Sequence, residues 1–157
     1  MPSQKSFQYL VASDWSECLS PNGPFDPLIY TWPHLEADLT RIFSAYTSNE
    51  ISLSRAVGKI KSLLPAELTE EEMDAFLREK FTAYTGLSQV ITWCLERGIA
   101  FMINSTGSMG YFQRAMARGF LPRIPLLSAH PFLRYAQTDT DPERTFELLE
   151  IEDKGTN

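Results

Sequence analysis

A carboxylate follows the first apolar run of the chain. Residues 7–13 are rich in β-forming side chains, Asp14 comes directly after them, and residues 20–27 are mostly Ser, Pro, Asn and Gly. This pattern predicts a buried strand that ends in a loop. Ligands of parallel sheets gather beyond the carboxyl ends of strands, where a carboxylate can attack a phosphoryl group and form an aspartyl-phosphate. The residues alone fit equally well a second interpretation, in which Asp14 only caps a turn.

Hydroxyl side chains follow a second apolar run. Residues 99–103 are continuously apolar, as expected of a central strand covered by helices, and Ser105, Thr106 and Gly107 follow one residue later. Hydroxyls and backbone N–H groups at the start of a helix form an anion site, although an ordinary helix N-cap explains the same residues. Lys154 is a candidate counter-charge for a phosphate, but a lone lysine near a chain end is usually only solvated.

Between the two runs, apolar residues recur at helical spacing. They predict four amphipathic helices, over residues 35–46, 52–64, 70–81 and 87–97. Thr69 and Glu72 have the spacing of a capping box, and Gly98 is typical of the residue that ends a helix. The region therefore predicts a helical insert between two strands.

The remainder of the chain predicts a return to the sheet. A helix is expected over residues 111–118, followed by a proline-punctuated stretch over residues 121–131 and short strands around residues 132–136 and 146–151. His130 and His34 are interpreted as surface or helix-end residues rather than catalytic ones.

Composition excludes several classes of function. The 157 residues are enough for one domain with a small inserted cap. The net charge is −6 and no basic stripe is present, so nucleic acid is not an expected partner. No apolar run is long enough to span a bilayer, so no membrane association is expected. Cys18 and Cys94 lack the spacing of a zinc or dithiol pair, which predicts a reducing cytoplasm.

The order of these motifs resembles the haloacid-dehalogenase-like (HAD) superfamily: strand and aspartate, helical insert, strand and Ser/Thr, then lysine. The family's first motif reads aspartate, any residue, aspartate, and here it is matched by Asp14, Trp15 and Ser16. Its second motif, an apolar strand closing on Ser or Thr, is matched by residues 99–105. Ser105-Thr106-Gly107 and the following Phe112 and Gln113 resemble the phosphoserine-phosphatase-like branch.

The resemblance implies a fold and an activity. The fold would be α/β, a Rossmann-like parallel sheet formed by residues 1–32 and 85–157, with residues 33–84 as an inserted helical cap. The activity would be that of a Mg²⁺-dependent phosphatase acting on a small phosphorylated metabolite through an aspartyl-phosphate. The oligomeric state is left open.

The resemblance also implies roles for individual residues. Asp14 would be nucleophile and metal ligand, and Ser16 would occupy the catalytic acid position while its backbone carbonyl binds the metal. Ser105, Thr106 and Lys154 would hold the phosphate. Two departures stand against full activity: Ser16 replaces the family's second aspartate, and the sequence ends three residues after Lys154, before a fourth motif with further acidic metal ligands.

These departures predict a truncated core with an exposed apolar sheet edge, little or no activity and weak Mg²⁺ binding. The alternative is a non-catalytic HAD-like domain that binds a phosphorylated ligand or a protein partner in the same pocket. A purely structural α/β domain would require Asp14, Ser105 and Lys154 to lie apart. Trp15 could either form a wall of the substrate pocket or pack in the core. Three further aromatic residues could either select substrate or anchor the cap to the core: Phe25, Tyr30 and Trp32.

Overall fold

The structure, a computed structural model, describes residues 6–136 and 147–150. Lys154 and most of the acidic segment near the end of the chain lie outside the described residues. Within the described residues, no helix has both the length and the apolar content needed to cross a membrane.

A four-stranded parallel sheet forms the centre of the fold. Its strands lie in the order of the sequence and are β1 (Tyr9–Ser13), β2 (Ile99–Ser108), β3 (Leu126–His130) and β4 (Glu147–Glu150). Tyr9 pairs with Ile99 and Ser13 with Ile103, so the carboxyl end of β1 lies beside the second half of β2. The predicted α/β class with a parallel sheet is confirmed.

The described residues also form six α-helices. They are α1 (Asp26–Thr31), α2 (Glu36–Thr47), α3 (Leu53–Leu63), α4 (Glu70–Lys80), α5 (Leu87–Glu96) and α6 (Met109–Ala117), with a 3₁₀ turn at Pro33–Leu35. The four helices predicted between residues 33 and 98 are all present. Thr69 and Glu72 form the predicted capping box, and Gly98 has the positive φ of 69° that only glycine adopts without strain.

Helices α1 to α4 pack against one another, while α5 packs on β2 and α6 packs on β2 and β3. The two groups meet where α4 packs on α6. There Arg114 of α6 binds both carboxyl oxygens of Asp74 at 2.8 Å and a carboxyl oxygen of Glu70 at 3.1 Å. The helical insert is therefore joined to the sheet layer by a charged contact as well as by apolar packing.

Two predictions about local structure are wrong. The third strand lies over residues 126–130, inside the proline-punctuated stretch, and residues 132–136 form no strand. The reason is that α6 satisfies their backbone: the Gln113 side chain binds both the N–H and the carbonyl of Tyr135, and Gly110 N–H donates to the Leu133 carbonyl. The loop predicted for residues 20–27 ends in α1, which has a proline at its start, where proline is tolerated.

The predicted burial of the first strand is also wrong. The side chains of Tyr9, Leu10 and Val11 are 68%, 54% and 39% exposed. Within the described residues β1 pairs only with β2 and forms one edge of the sheet, and these apolar side chains remain largely exposed. This matches the expected apolar sheet edge.

Candidate active site

Asp14 lies just beyond the carboxyl end of β1. Its Oδ1 accepts a hydrogen bond of 2.7 Å from the Trp15 N–H, and the Ser13 hydroxyl donates to the Asp14 carbonyl at 2.9 Å. The hydrogen bond from Trp15 occupies Oδ1 and fixes the orientation of the carboxylate. Oδ2 could then contact a phosphoryl group or a metal ion. The side chain is exposed and borders an open cavity of about 330 Å³, which Asn104 and Thr106 also line.

The loop after Asp14 folds into a tight turn. The Trp15 carbonyl accepts bonds from the N–H groups of Cys18, Leu19 and Ser20, and Glu17 adopts a positive φ of 63°. Trp15 is 3% exposed and packs its ring edge-on against Phe112, 5.3 Å between centroids. The turn is therefore held by a buried aromatic anchor, which leaves Asp14 and Glu17 in solvent on either side of it.

Ser16 is engaged within this loop. Its hydroxyl donates a 3.0 Å hydrogen bond to the backbone carbonyl of Asn22. Asn22 is in turn held by its side chain, which donates to the Lys80 carbonyl and accepts from the Thr82 N–H and the Tyr111 hydroxyl. The hydroxyl at position 16 is thus bonded to a well-anchored carbonyl.

The two predicted phosphate-binding hydroxyls lie on opposite faces of β2. Thr106 lines the Asp14 cavity, whereas Ser105 is 6% exposed and lines a smaller cavity of about 20 Å³ together with Trp15 and Ser16. Alternation of side chains along a strand explains the separation. The Ser105 hydroxyl accepts a 3.0 Å bond from the Gly107 N–H, so it shapes the loop. The structure brings Thr106 to Asp14, and Ser105 to Ser16.

Two further polar residues lie at this edge: Asn104 was not singled out from the sequence, and His130 was interpreted there as a surface or helix-end residue. Asn104 faces the Asp14 cavity, and its place one residue before Ser105 on a strand end was the available signal. His130 ends β3 opposite Ser108, and its Nδ1 accepts a 3.0 Å bond from the Phe132 N–H. Because Nδ1 is the acceptor, the neutral ring carries its proton on Nε2.

One carboxyl in the loop has a shifted pKa. Burial raises the pKa of Asp26, and the Gly23 N–H, which donates to its Oδ2 at 2.7 Å, opposes that rise. Asp26 lies in the first turn of α1, where a carboxylate is favoured by the helix dipole. Its contacts are those of a residue that closes the turn between residues 23 and 26.

The aromatic residues near the site have mainly packing contacts. Phe25 packs on Phe43 at 5.5 Å between centroids, and Tyr30 packs on Phe76 at 5.7 Å. These contacts attach α1 to α2 and α4. They support the anchoring interpretation for Phe25 and Tyr30.

A cation site here would depend on few protein ligands. Within the described part of the chain, no three His, Cys, Asp or Glu side chains come together as a metal site. The Asp14 carboxylate and the Ser16 carbonyl are oxygen donors, which suit Mg²⁺, an ion that commonly keeps several waters and binds one or two carboxylates. The donor chemistry therefore fits Mg²⁺, held largely by water.

Comparison with known sequences gives one partial relative. No protein-family model matches the chain. Over 79 residues it is 30% identical to the 2-hydroxy-3-keto-5-methylthiopentenyl-1-phosphate phosphatase of Brevibacillus brevis, a match that covers 50% of this chain and 35% of the relative.

Comparison with solved structures gives several similar folds. A phosphoserine phosphatase with a phospho-aspartyl intermediate analogue matches with a TM-score of 0.58 and 16% identity, over 85% of this chain and 60% of that one. A phosphoserine phosphohydrolase-like protein from Francisella tularensis matches with a TM-score of 0.53 and 14% identity, over 74% and 55%. A HAD family hydrolase from Salmonella enterica serovar Typhi matches with a TM-score of 0.56 and 16% identity, over 74% and 39%.

These likenesses confirm the fold that the resemblance implied. The chain has the α/β fold of HAD-like hydrolases of the phosphoserine-phosphatase-like branch. It spans between 35% and 60% of the length of the proteins named here.

Proposed function

We propose that this chain, with its HAD-like fold, is a phosphatase-type hydrolase of a small phosphorylated metabolite, and that Asp14 takes up the phosphoryl group. The observation that carries the proposal is the shared cavity of Asp14 and Thr106 at the carboxyl ends of adjacent strands. Ligands of parallel sheets bind at this edge. The partial likeness to a phosphatase of Brevibacillus brevis supports the same reaction class.

The reaction would proceed in two displacements. An Asp14 carboxyl oxygen attacks phosphorus, the ester P–O bond breaks, and the departing alcohol oxygen takes a proton. Water then attacks the aspartyl-phosphate, releases inorganic phosphate and restores the carboxylate. The Trp15 N–H, bonded to Oδ1, would hold the nucleophile in place, and the hydroxyl of Thr106, which lines the same cavity, would donate to a phosphoryl oxygen.

Mg²⁺ is the proposed cofactor. When bound, it would neutralise charge on the phosphoryl oxygens. Asp14, through its carboxylate, and Ser16, through its backbone carbonyl, are the proposed ligands. Lys154, which lies outside the described residues, remains a proposed phosphate ligand. Ser105 is proposed to stabilise the loop that carries Thr106.

Turnover by the chain as given is proposed to be little or none, because no further acidic metal ligand joins Asp14 within the described residues, and any turnover should be slowest on substrates with poor leaving groups. A positioned general acid contributes about 10²–10⁴-fold, and the Ser16 hydroxyl, bonded to a carbonyl, cannot supply a proton at neutral pH. Glu17 is a neighbouring carboxylate, but it lies exposed on the far part of the turn.

Residues 33–84 are the proposed cap. Helices α2 and α3 form one wall of the space beyond Thr106, as a cap would. We place the reaction in the cytoplasm, because Cys18 and Cys94 are both unpaired thiols within the described chain.

The test of the proposed function is Mg²⁺-dependent hydrolysis of an aryl phosphate, whose leaving group needs no acid. Asp14→Asn should abolish turnover, while Glu17→Gln, which alters an exposed carboxylate of the same turn, should leave it unchanged. Thr106→Val should raise KM or lower kcat/KM more than Ser105→Ala does. Turnover that survives Asp14→Asn would overturn the proposal.

A second function is favoured by the Ser16 hydrogen bond alone. A site without an acid suits a non-catalytic domain that binds a phosphorylated ligand or a protein partner. Binding of inorganic phosphate, lost in Thr106→Val and unaccompanied by turnover of any phosphate ester, would support this function over the first.

A further inference from the structure

Asn104 is the residue of β2 that lies level with Asp14. The register of the two strands pairs Ser13 with Ile103, and one more residue along each chain leads to Asp14 and Asn104. Side chains alternate between the two faces of a sheet, in step on neighbouring strands, so these two side chains point to the same face. The open cavity of about 330 Å³ agrees with this direction, because both residues line it. The Asn104 amide is therefore a neighbour of the proposed phosphoryl acceptor.

Thr106 borders the same cavity, two residues further along β2. Ser105, which lies between them, lines the smaller cavity beside Ser16 instead. One face at the end of β2 thus presents an amide and a hydroxyl next to the Asp14 carboxylate. A phosphoryl group on Asp14 would have its oxygens in the cavity that these two groups border.

This cavity needs hydrogen-bond donors if it is to hold a phosphoryl group. The oxygens of that group are negatively charged and would lie beside the Asp14 carboxylate, and like charges repel. No Lys or Arg is among the described residues that line the cavity. The Ser13 hydroxyl donates to the Asp14 backbone carbonyl. Among the described side chains of the cavity wall, Thr106 and Asn104 are therefore the candidate donors to a phosphoryl oxygen.

The carboxamide of Asn104 has the chemistry for this role. It carries two N–H donors and an acceptor oxygen, so it can donate to an anion and keep a second hydrogen bond at the same time. A hydrogen bond to a charged oxygen is stronger than one between neutral groups. Loss of such a bond typically lowers affinity by about 10- to 100-fold. An effect of this size can be measured by ligand binding, without turnover.

We propose that Asn104 is a further catalytic residue of this site, and that its amide N–H donates to an oxygen of the phosphoryl group held by Asp14. The inference rests on the proposed function, since it takes Asp14 as the phosphoryl acceptor. The hydrogen bond stabilises negative charge on the phosphoryl oxygens in both displacements. Asn104 itself forms no covalent bond and transfers no proton.

The test uses beryllium trifluoride, which binds a carboxylate as a stable analogue of an aspartyl-phosphate. The full chain is titrated with it in the presence of Mg²⁺ and followed by fluorine NMR, and Asp14→Asn should abolish binding. A bound fluorine that accepts a hydrogen bond from an N–H changes its chemical shift between H₂O and D₂O. Asn104→Leu, which replaces the amide with an apolar group of similar shape, should remove this isotope shift from one fluorine and weaken binding by about 10- to 100-fold.

Two further variants separate hydrogen-bond donation from other effects. Asn104→Asp keeps the size of the side chain but has no N–H and adds a negative charge beside Asp14, so it should bind the analogue more weakly than Asn104→Leu. Equal or tighter binding by Asn104→Asp than by the wild type would assign position 104 to the metal ion and overturn the inference. Met102→Leu changes the preceding residue on the same face of β2, which does not line the cavity, and should leave both affinity and isotope shifts unchanged.

The outcomes distinguish the inference from the proposed function. If the wild type binds no beryllium trifluoride, or Asp14→Asn binds it equally well, Asp14 is not the phosphoryl acceptor and both fail. If binding requires Asp14 but Asn104→Leu keeps the wild-type affinity and isotope shifts, the inference alone is overturned. Circular dichroism would check the fold of each variant. Should Asn104→Leu not fold, Asn104→Asp, with its matched size, supplies the same comparison.

Discussion

The Ser16 hydroxyl donates a hydrogen bond of 3.0 Å to the backbone carbonyl of Asn22. A carbonyl accepts but cannot donate, so any side chain at position 16 that keeps this contact must supply a hydrogen. A carboxyl group can do so only in its protonated form, and a bond made by the neutral form raises the pKa of an acid. An aspartic acid at position 16 that kept this contact would therefore be favoured in its protonated form.

Ser16→Asp should restore a general acid. Turnover of an alkyl phosphate should rise by about 10²-fold or more, and turnover of an aryl phosphate should change little, because its leaving oxygen needs no proton. The measurement is the ratio of kcat for the two substrates with saturating Mg²⁺.

Ser16→Ala serves as the control, since it removes the hydroxyl without adding an acid, and it should leave the ratio unchanged. Equal gains on both substrates would mean that position 16 does not supply the proton. Glu17→Gln in the Ser16→Asp background would then show whether Glu17 does.

Asn22 should be the most sensitive residue of the loop for stability. Its side chain binds the Lys80 carbonyl, the Thr82 N–H and the Tyr111 hydroxyl at 3.0–3.2 Å. Asn22→Ala should lower the free energy of unfolding by about 2–4 kcal/mol, because each buried group left unbonded costs about 1–3 kcal/mol. Tyr111→Phe removes the hydroxyl donor together with its hydrogen bond to Asn22, so the variant leaves no buried hydroxyl unbonded. It should lower the free energy of unfolding by less than Asn22→Ala does. Urea denaturation that shows equal costs would contradict this account.

Asp74 should contribute stability that disappears in acid. The Arg114 hydrogen bonds are the main cause that lowers the pKa of Asp74 below its ordinary value of 3.8. A carboxyl whose pKa is lower in the folded state stabilises the fold above its unfolded pKa, and that contribution is lost as the pH falls through the folded value. Asp74→Asn should therefore cost about 1–3 kcal/mol near pH 7, and the difference from wild type should shrink below about pH 4.

Asp38→Asn is the matched control for Asp74. The Arg41–Asp38 pair is exposed, with 77% and 44% of the side chains accessible, so its loss should cost less than about 0.5 kcal/mol. Urea titrations of both variants at pH 7 and pH 3.5 would check the prediction. A cost for Asp74→Asn that is the same at both pH values would refute it.

The exposed edge strand should make the 157-residue chain associate. Tyr9, Leu10 and Val11 present apolar side chains on a strand with one unpaired edge in the described sheet. Leu10→Lys should reduce concentration-dependent association in analytical ultracentrifugation, because a charge on an edge strand disfavours pairing. Tyr84→Lys, at a 45% exposed residue away from β1, should leave it unchanged. Equal effects would place the association elsewhere.

Much of the fold could be predicted from local signals. Amphipathic spacing located α2 to α5, and the Thr69 box located the start of α4 within one residue. The position of β3 could not be predicted, because the prolines that flank it, at positions 125 and 131, and its short length suggested a loop. The hydrogen bonds between the Gln113 side chain and the Tyr135 backbone, which take the place of strand pairing, join residues 22 positions apart and leave no local pattern.

For the site, the sequence located the strand ends but not the directions of the side chains. Asp14 and the Ser105-Thr106 pair were found from apolar runs followed by polar residues. Which hydroxyl faces Asp14 depends on the pleat of β2 and its register with β1, and the structure places Thr106 there. The hydrogen bond from Ser16 to Asn22 depends on the turn after Trp15, which propensities do not specify.

The most direct test of the account is detection of a phosphoryl group on Asp14. The group that acts as acid in the first displacement acts as base in the second, so serine at position 16 should also slow hydrolysis of the aspartyl-phosphate. With an aryl phosphate, whose alcohol leaves unaided, the intermediate should accumulate. Mass spectrometry after a rapid acid quench should find one phosphoryl group on the peptide containing Asp14, absent from Asp14→Asn and shorter-lived in Ser16→Asp. Substrate consumed without phosphorylation of Asp14, or the same modification in Asp14→Asn, would contradict the account.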